Sequence, residues 1–423
     1  MKETIKLACV GCGRRGQSVI KKCFSLMSDV DIVALCDLKA EALEQTKDII
    51  VENGKPVPPV MTADYDEILK NPEIDAIVLM TGWDDRTEMA KKSMLAGKYT
   101  AIEVGCCKTL EECYDLIDTY EKTGVPLMML ENGCYERYVL MTLNMRDKGL
   151  FGEIAHCTGS YSHYLPKVEL FKELHQGADE VKHYRLAHYI NGNRESYPTH
   201  ELGPISKMLK LNRGNRMVSL ISVASKAVGL KQYAKDHFGK DSKYANIDYK
   251  QGDIVTTLIK CANGETIELR LDTTLPRPYQ ADNYSVRGTK GMYTEDRRMV
   301  FLQGMEEIKE VRSNEEEFYE QYDHPLQREY QSLEEKRGGH SGIDYLVCRG
   351  FVESVKRGIE PPIDAYDTVL WLSIGALSEQ SIKEGRLVEV PDFTNGKWEH
   401  REPPVFSKYS LDMVCEDKET SIY

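Results

Sequence analysis

Tyr197-Pro198-Thr199-His200 is the stretch of this chain best equipped for proton transfer. A phenol and an imidazole stand three residues apart, Pro198 stiffens the backbone between them, and a helical pattern follows. Both rings would project from one helix start, where they suit moving a proton to and from a hydroxyl group. The same residues would also serve as an aromatic and a capping histidine packed between two domains. His183-Tyr184-Arg185 and Asn191-Gly192-Asn193 add polar groups within the same insertion, roughly residues 166–215.

A second stretch points to a nucleotide. Gly11-Cys12-Gly13-Arg14-Arg15-Gly16 follows an apolar run at 5–10 and precedes a helical pattern over 17–27. Gly11 permits a sharp turn, Gly13 lets the backbone approach a pyrophosphate, and Gly16 lets the helix pack close to the strand. The helix start offers free N–H groups and the positive end of its dipole to phosphates. A second apolar run, 30–36, ends at Asp37. Its carboxylate lies about twenty residues past the glycines, where it accepts hydrogen bonds from ribose hydroxyls. It would repel a 2′-phosphate, so the pattern favours NAD over NADP. The competing reading is a doubly wound fold with a glycine-rich turn and no nucleotide.

The elements that must position these groups come next. A chain of 423 residues predicts two domains. With 41% hydrophobic and 29% charged residues it reads as soluble and globular. A net charge of −13 argues against nucleic acid. No apolar run has membrane-spanning length, and the first residues lack a signal-peptide core, which predicts a cytoplasmic protein. Cys9 and Cys12 form a Cys-x-x-Cys, but one belongs to a strand and the other to the glycine turn, so both read as small packing residues with reduced thiols. No local metal-ligand spacing is evident, and no metal is expected.

Strand and helix patterns alternate through 64–70, 75–80, 87–96, 99–102, 110–122 and 125–130. This predicts a parallel sheet wrapped by helices, with ligands beyond the carboxyl ends of the strands. A helix is expected over 134–148. β-branched stretches then appear at 153–164, 217–227, 253–261, 266–272 and 284–287, with the hairpin signal Asn263-Gly264 between two of them. They predict a mainly antiparallel sheet, helical on one face and open on the other. Such a face often pairs with a copy of itself, so a homo-oligomer is expected. Helices are expected over 341–357 and 364–383, and a polar surface-lying tail over 395–423. The predicted architecture is an α/β Rossmann domain (1–133), an α+β domain with an open, mainly antiparallel sheet (134–394) and a C-terminal extension (395–423).

Together these features resemble the Gfo/Idh/MocA oxidoreductases over essentially the whole chain. Five motifs sharpen the likeness: Glu131-Asn132-x-Cys134-Tyr135, residues 148–154, Tyr197-Pro198-Thr199-His200 running on to 205, Pro276-Arg277-Pro278-Tyr279, and Gly338-Gly339-His340-Ser341-Gly342-Ile343-Asp344-Tyr345. They are similar to glycoside hydrolase family 109, which contains NAD-dependent α-N-acetylgalactosaminidases. The resemblance implies a glycosidase acting on a small glycoside, with NAD used but not consumed. Oxidation at sugar position three acidifies the proton at position two, and a base removes it. The aglycone is eliminated, water adds, and the carbonyl is reduced again.

It also implies residue roles. Arg15, Gly16, Asp37, Glu103, Val104 and Asn132 match cofactor-contacting positions, joining Gly11, Gly13 and Arg14 of the glycine turn, with Gly82, Trp83 and Asp85 in a further cofactor loop. Tyr197 and His200 match an active-site pair that also touches the cofactor. Tyr161 matches a substrate and acid–base tyrosine, and His163, two along the same strand face, is a further catalytic candidate. Arg185 and Tyr279 match substrate contacts, and Glu131 is placed to aid the leaving group or the water. Without the resemblance, Tyr161 and His163 could be ordinary same-face sheet residues and Glu131 a helix-start cap. Four positions depart from the family pattern. Val104, as in the glycosidase subgroup, stands where most Gfo/Idh/MocA dehydrogenases carry Lys; Gly105 stands where that subgroup has Pro, and Glu201 where it has Gly. Arg86 replaces the His of its Trp-x-x-His loop, which puts that loop in question. Glu201 could bind a hydroxyl or raise the His200 pKa. A net sugar dehydrogenase on the same fold is the alternative reading, and a catalytically silent sugar- or NAD-binding protein a third.

Overall fold

The computed structural model describes residues 2–306, 312–337, 342–403 and 407–415, with backbone only for 332–337. Residues 338–341, the start of the fifth motif, and 416–423 of the expected tail lie outside the described residues.

The first sheet has six parallel strands: β1 (Ile5–Val10), β2 (Val30–Cys36), β3 (Val60–Thr62), β4 (Ala76–Leu79), β5 (Tyr99–Ile102) and β6 (Leu127–Met129). Their order is β3-β2-β1-β4-β5-β6. Both faces are covered, so β1 and β4 are almost wholly apolar and buried. The connecting helices are α1 (Arg14–Lys22), α2 (Ala40–Glu52), α3 (Tyr65–Lys70), α4 (Trp83–Leu95) and α5 (Leu110–Thr123). Strand order reverses between β1 and β4, the switch point at which such sheets take ligands beyond the strand ends. The first helix begins at Arg14 and stops at Lys22, not over the expected 17–27, because Gly13 is its N-cap and Cys23 leads into a 3-10 turn.

The expected helix over 134–148 is likewise two pieces. A 3-10 turn, Asn132–Tyr135, precedes α6 (Arg137–Asp147), and Glu136 between them is extended, with φ −56° and ψ 140°.

The second sheet has eight strands: β7 (Ile154–Ser162), β8 (Met217–Ala224), β9 (Ile254–Cys261), β10 (Thr266–Asp272), β11 (Ser285–Gly288), β12 (Gly291–Thr294), β13 (Met299–Leu302) and β14 (Val388–Glu389). Their order is β13-β12-β11-β7-β10-β9-β8-β14. Every pair is antiparallel except the central β7–β10. The Asn263-Gly264 turn joins β9 to β10 as expected, with Gly264 at φ +107°. The remaining helices are α7 (Lys172–His175), α8 (Tyr184–Asn191), α9 (Thr199–Met208), α10 (Gly229–Phe238), α11 (Glu315–Tyr322), α12 (Pro325–Arg337), α13 (Ile343–Arg357) and α14 (Ala365–Glu384). Helix α9 packs on β7 and α14 on β8. The opposite face leaves Ile221, Val223 and Leu258 exposed.

The tail departs from its expected surface position. Tyr409, Leu411 and Asp412 are buried, and Tyr135 donates to the Tyr409 carbonyl at 2.9 Å. Asp412 joins Asp364 and Asp367 around Lys207, Arg213 and Arg401. Three cations meet three carboxylates in this cluster, so burying it leaves no net charge uncompensated.

Candidate active site

Helix α9 brings the proton-transfer groups to the end of β6. A methyl group on Gly203 would stand 2.9 Å from Glu131 Cγ and 3.0 Å from Cys134 Sγ, so only glycine lets the helix approach this closely. Gly159 of β7 does the same beneath Glu201, where an added Cβ would stand 2.7 Å from that side chain. The helix start then places His200 Nδ1 2.6 Å from Glu131 Oε1, which also accepts from Gly133 N–H at 2.9 Å. Glu131 is wholly buried, and its Oε2 has no hydrogen-bond partner. Burial alone would lower the His200 pKa, but the charge and hydrogen bond of Glu131 outweigh it and the net shift is upward.

Three aromatic rings join this pair. Tyr161 stacks on Tyr197 at 4.2 Å between centroids and on His163 at 4.1 Å. Their near-parallel planes put Tyr197 and His163 on opposite faces of the Tyr161 ring. His200 lies 5.1 Å from Tyr197 and 5.6 Å from Tyr161. Burial pushes the Tyr161 phenol up to about 12, with the Arg185 cation pulling the other way. The same two causes leave Tyr197 raised. Arg185 lies 4.6 Å over Tyr197 and 5.2 Å over Trp83, and donates to Glu169 at 2.5 Å.

The glycine turn shapes the neighbouring cleft. A Cβ on Gly11 would meet the Met80 carbonyl at 2.6 Å, and one on Gly16 would meet the Gly11 carbonyl at 2.0 Å. Gly13 faces open space. Helix α1 has no side-chain cap and no acidic residue in its first turn, so its N–H groups are free for phosphate. Asp37 accepts from Cys12 N–H at 2.7 Å and from Lys39 N–H at 2.9 Å, which fixes it at the end of β2. An open approach, uncapped donors and a fixed carboxylate fit the pyrophosphate and ribose of NAD.

Farther along the cleft, Arg15 donates to Glu103 at 2.8 Å and takes both oxygens of Asp344, at 2.7 and 3.0 Å. Asn132 donates to Asp344 as well, at 2.7 Å. Asp344 thus gathers two expected cofactor residues. Its only signal in the sequence is membership of the fifth motif.

Not every expected residue joins. Arg14 and Asp85 are exposed, and Tyr279 is 66% exposed in the loop after β10. Trp83 packs over Gly105, where a Cβ would lie 2.5 Å from the indole nitrogen. Val104 and Gly82 lie at the strand ends beside it, and the Val104 carbonyl accepts from Arg86 at 2.7 Å. Arg86 also reaches the carbonyls of Glu103 and Thr81, so the substituted residue ties the two loops together. Lys108 pairs with Asp84. Glu201 is buried, with both oxygens lacking hydrogen-bond partners. Burial, then the neighbouring Glu195, push its pKa well up. The carboxylate that meets His200 is Glu131, not the expected Glu201, because Glu201 is directed under β7. Cys9 and Cys12 are buried free thiols. Among the described residues no group of three or more His, Cys, Asp or Glu could hold a metal.

Comparison with known proteins covers both halves of the chain. Residues 5–131 match the family model "Oxidoreductase family, NAD-binding Rossmann fold", and residues 135–400 match "Glycosyl hydrolase 109, C-terminal domain". An alpha-N-acetylgalactosaminidase of Tannerella forsythia is 36% identical over 416 residues, covering 94% of this chain and 88% of the relative. One from Shewanella oneidensis is 35% identical over 412 residues, covering 95% and 87%. A levoglucosan dehydrogenase solved with NADH and levoglucosan superposes with a TM-score of 0.68 at 15% identity, covering 92% of this chain and all of that one. That likeness is one of fold.

Proposed function

The chain belongs to glycoside hydrolase family 109 and is an NAD-dependent glycosidase of the Gfo/Idh/MocA type, and from that premise we propose how its residues divide the work. The substrate is a hexoside with a free hydroxyl at position three and a ring proton at position two. The observation that supports this reading best is the stacked Tyr161–Tyr197 pair with His200–Glu131 beside the glycine-turn cleft. Gly11, Gly13, Gly16, Asp37 and the Arg15–Glu103–Asn132 group hold NAD, which supplies reversible hydride transfer at sugar position three. Tyr197 and His200 take the hydroxyl proton at that position, and Glu131 steadies His200 while it carries the charge. Tyr161 removes the proton at position two once the adjoining carbonyl has acidified it, and Arg185 beside the ring favours its phenolate. Arg185 and Trp83 wall the sugar. Tyr197→Phe and His200→Ala should each lower turnover by about 100-fold or more, with NAD affinity by fluorescence titration kept. Full activity in both variants would remove these assignments.

The division at residues 133 and 394 is proposed on the same ground. The exposed Ile221, Val223 and Leu258 support a homo-oligomer joined through the open sheet face. A monomeric mass in solution would contradict it. Eleven buried free cysteines support a reducing compartment, the cytoplasm. Reactive disulfides in freshly isolated protein would speak against that. No helix among the described residues is long and apolar enough to cross a membrane.

A further inference from the structure

The proposed reaction needs proton transfer at two places. One is the ring, at positions three and two. The other is the glycosidic oxygen that departs and the water that replaces it. His200 with Glu131 serves the buried ring side. The structure carries a second histidine–carboxylate pair, whose imidazole stacks on the face of Tyr161 opposite Tyr197. His163 stacks on that ring, and its Nε2 lies 3.7 Å from Asp282 Oδ1. That is ion-pair range, and such contacts tighten when substrate binds. The two pairs differ in exposure. The two imidazoles are equally exposed, 21% each, and the difference lies in the carboxylates: the Glu131 side chain is 0% exposed and that of Asp282 35%. The second pair therefore meets solvent, where an aglycone leaves and water enters.

The chain holds Asp282 there with several bonds. Ser160 N–H donates to its carbonyl at 2.5 Å, and Ser162 N–H donates to the Ala281 carbonyl at 3.2 Å. Asn283, the next residue, is left-handed at φ +47°. That conformation is unfavourable for a side-chain-bearing residue, least so for asparagine. It is pinned by Asn283 N–H to Glu295 at 2.8 Å, its amide to Ser160 Oγ at 2.7 Å, and Thr158 Oγ1 to its carbonyl at 3.1 Å. A left-handed turn so heavily anchored and carrying a carboxylate into a site points to a function for that carboxylate.

We propose that His163 and Asp282 form the acid–base pair for aglycone departure and water entry, His163 as the catalytic residue and Asp282 as its positioning partner. This rests on the glycosidase reading above. As the bond from ring carbon one to the glycosidic oxygen breaks, its electron pair goes to that oxygen, which takes the proton of protonated His163. Water then replaces the aglycone. Neutral His163 takes a proton from the water as its oxygen bonds to carbon one. The electrons of the double bond between carbons one and two move onto the position-three carbonyl. Carbon two regains its proton from the group that removed it. Asp282 holds the imidazole orientation and its charge through both transfers.

The test uses the full-length, NAD-loaded enzyme and a series of glycosides whose leaving groups rise in basicity, from dinitrophenol to methanol. Asp282→Asn and His163→Gln should both steepen the fall of kcat/KM along the series. The loss for the poorest leaving group should exceed that for the best by about 30-fold or more. Asp282→Glu should recover part of it, and the double variant should be no worse than His163→Gln alone. Wild-type unfolding midpoints and NAD affinities in the variants would tie the change to proton transfer rather than to folding. Losses uniform along the series, or multiplying in the double variant, would overturn the pair. A wild-type enzyme that oxidises these sugars yet releases no aglycone would instead overturn the glycosidase reading itself.

Discussion

At His200 two forces oppose each other. Burial disfavours the imidazolium, and the Glu131 carboxylate 2.6 Å away more than restores it. The folded-state pKa lies above the ordinary 6.5, so the pair's contribution to stability is complete below about pH 6.5 and is lost as pH rises through the raised value. Urea unfolding of the wild type and Glu131→Gln should show this directly. The wild-type advantage should shrink across that window, and an advantage flat in pH would contradict the pairing. Tyr197 and His200 were legible in the sequence because they lie three apart in one motif. Asp344 was not, since its partner Arg15 is 329 positions away and only folding brings them together. Asp282 had no local signal either: its meaning lies in the left-handed turn after it and in His163 across the strand.

Elements set what these residues can reach. Most of the alternation is readable because β1, β2, β4, β5 and β6 are short apolar runs that lead into the glycine turn or, within two residues, a polar side chain, whereas β3, only three half-buried residues long, carries too short a pattern to read. The break at Glu136 was hidden, because the apolar pattern continues through it while the backbone turns extended to start α6. The parallel β7–β10 pair was hidden too, since pairing direction depends on partners far apart in sequence. Helix α13 matters most for the cofactor cleft. It carries Asp344 to Arg15 on α1 and to Asn132 after β6, so it braces cleft residues from outside the Rossmann sheet. Asp344→Asn should weaken NAD binding by about 10-fold, read by titration without substrate, because charge-assisted bonds to Arg15 become neutral ones. Unchanged NAD affinity would reduce Asp344 to a structural tie.

Across the whole molecule, Trp83 after β4 and Glu131 after β6 meet Tyr197 and His200, which lie against Tyr161 of β7, and the buried tail links α9 to α14 through Lys207, Asp367 and Asp412. The tail's polar composition gave no hint of this, because its buried charges are satisfied only by partners elsewhere. The arrangement places the proton-transfer cluster beside the NAD cleft, and the central claim is that the two work in one cycle that ends in hydrolysis. The most direct test combines purified protein and NAD⁺ with a panel of α- and β-nitrophenyl glycosides, recording nitrophenol and NADH absorbance together. Nitrophenol accumulating over many turnovers with no net NADH is the predicted result. NADH rising in step with sugar consumed, the nitrophenyl group still attached, would contradict it and make the chain a sugar dehydrogenase.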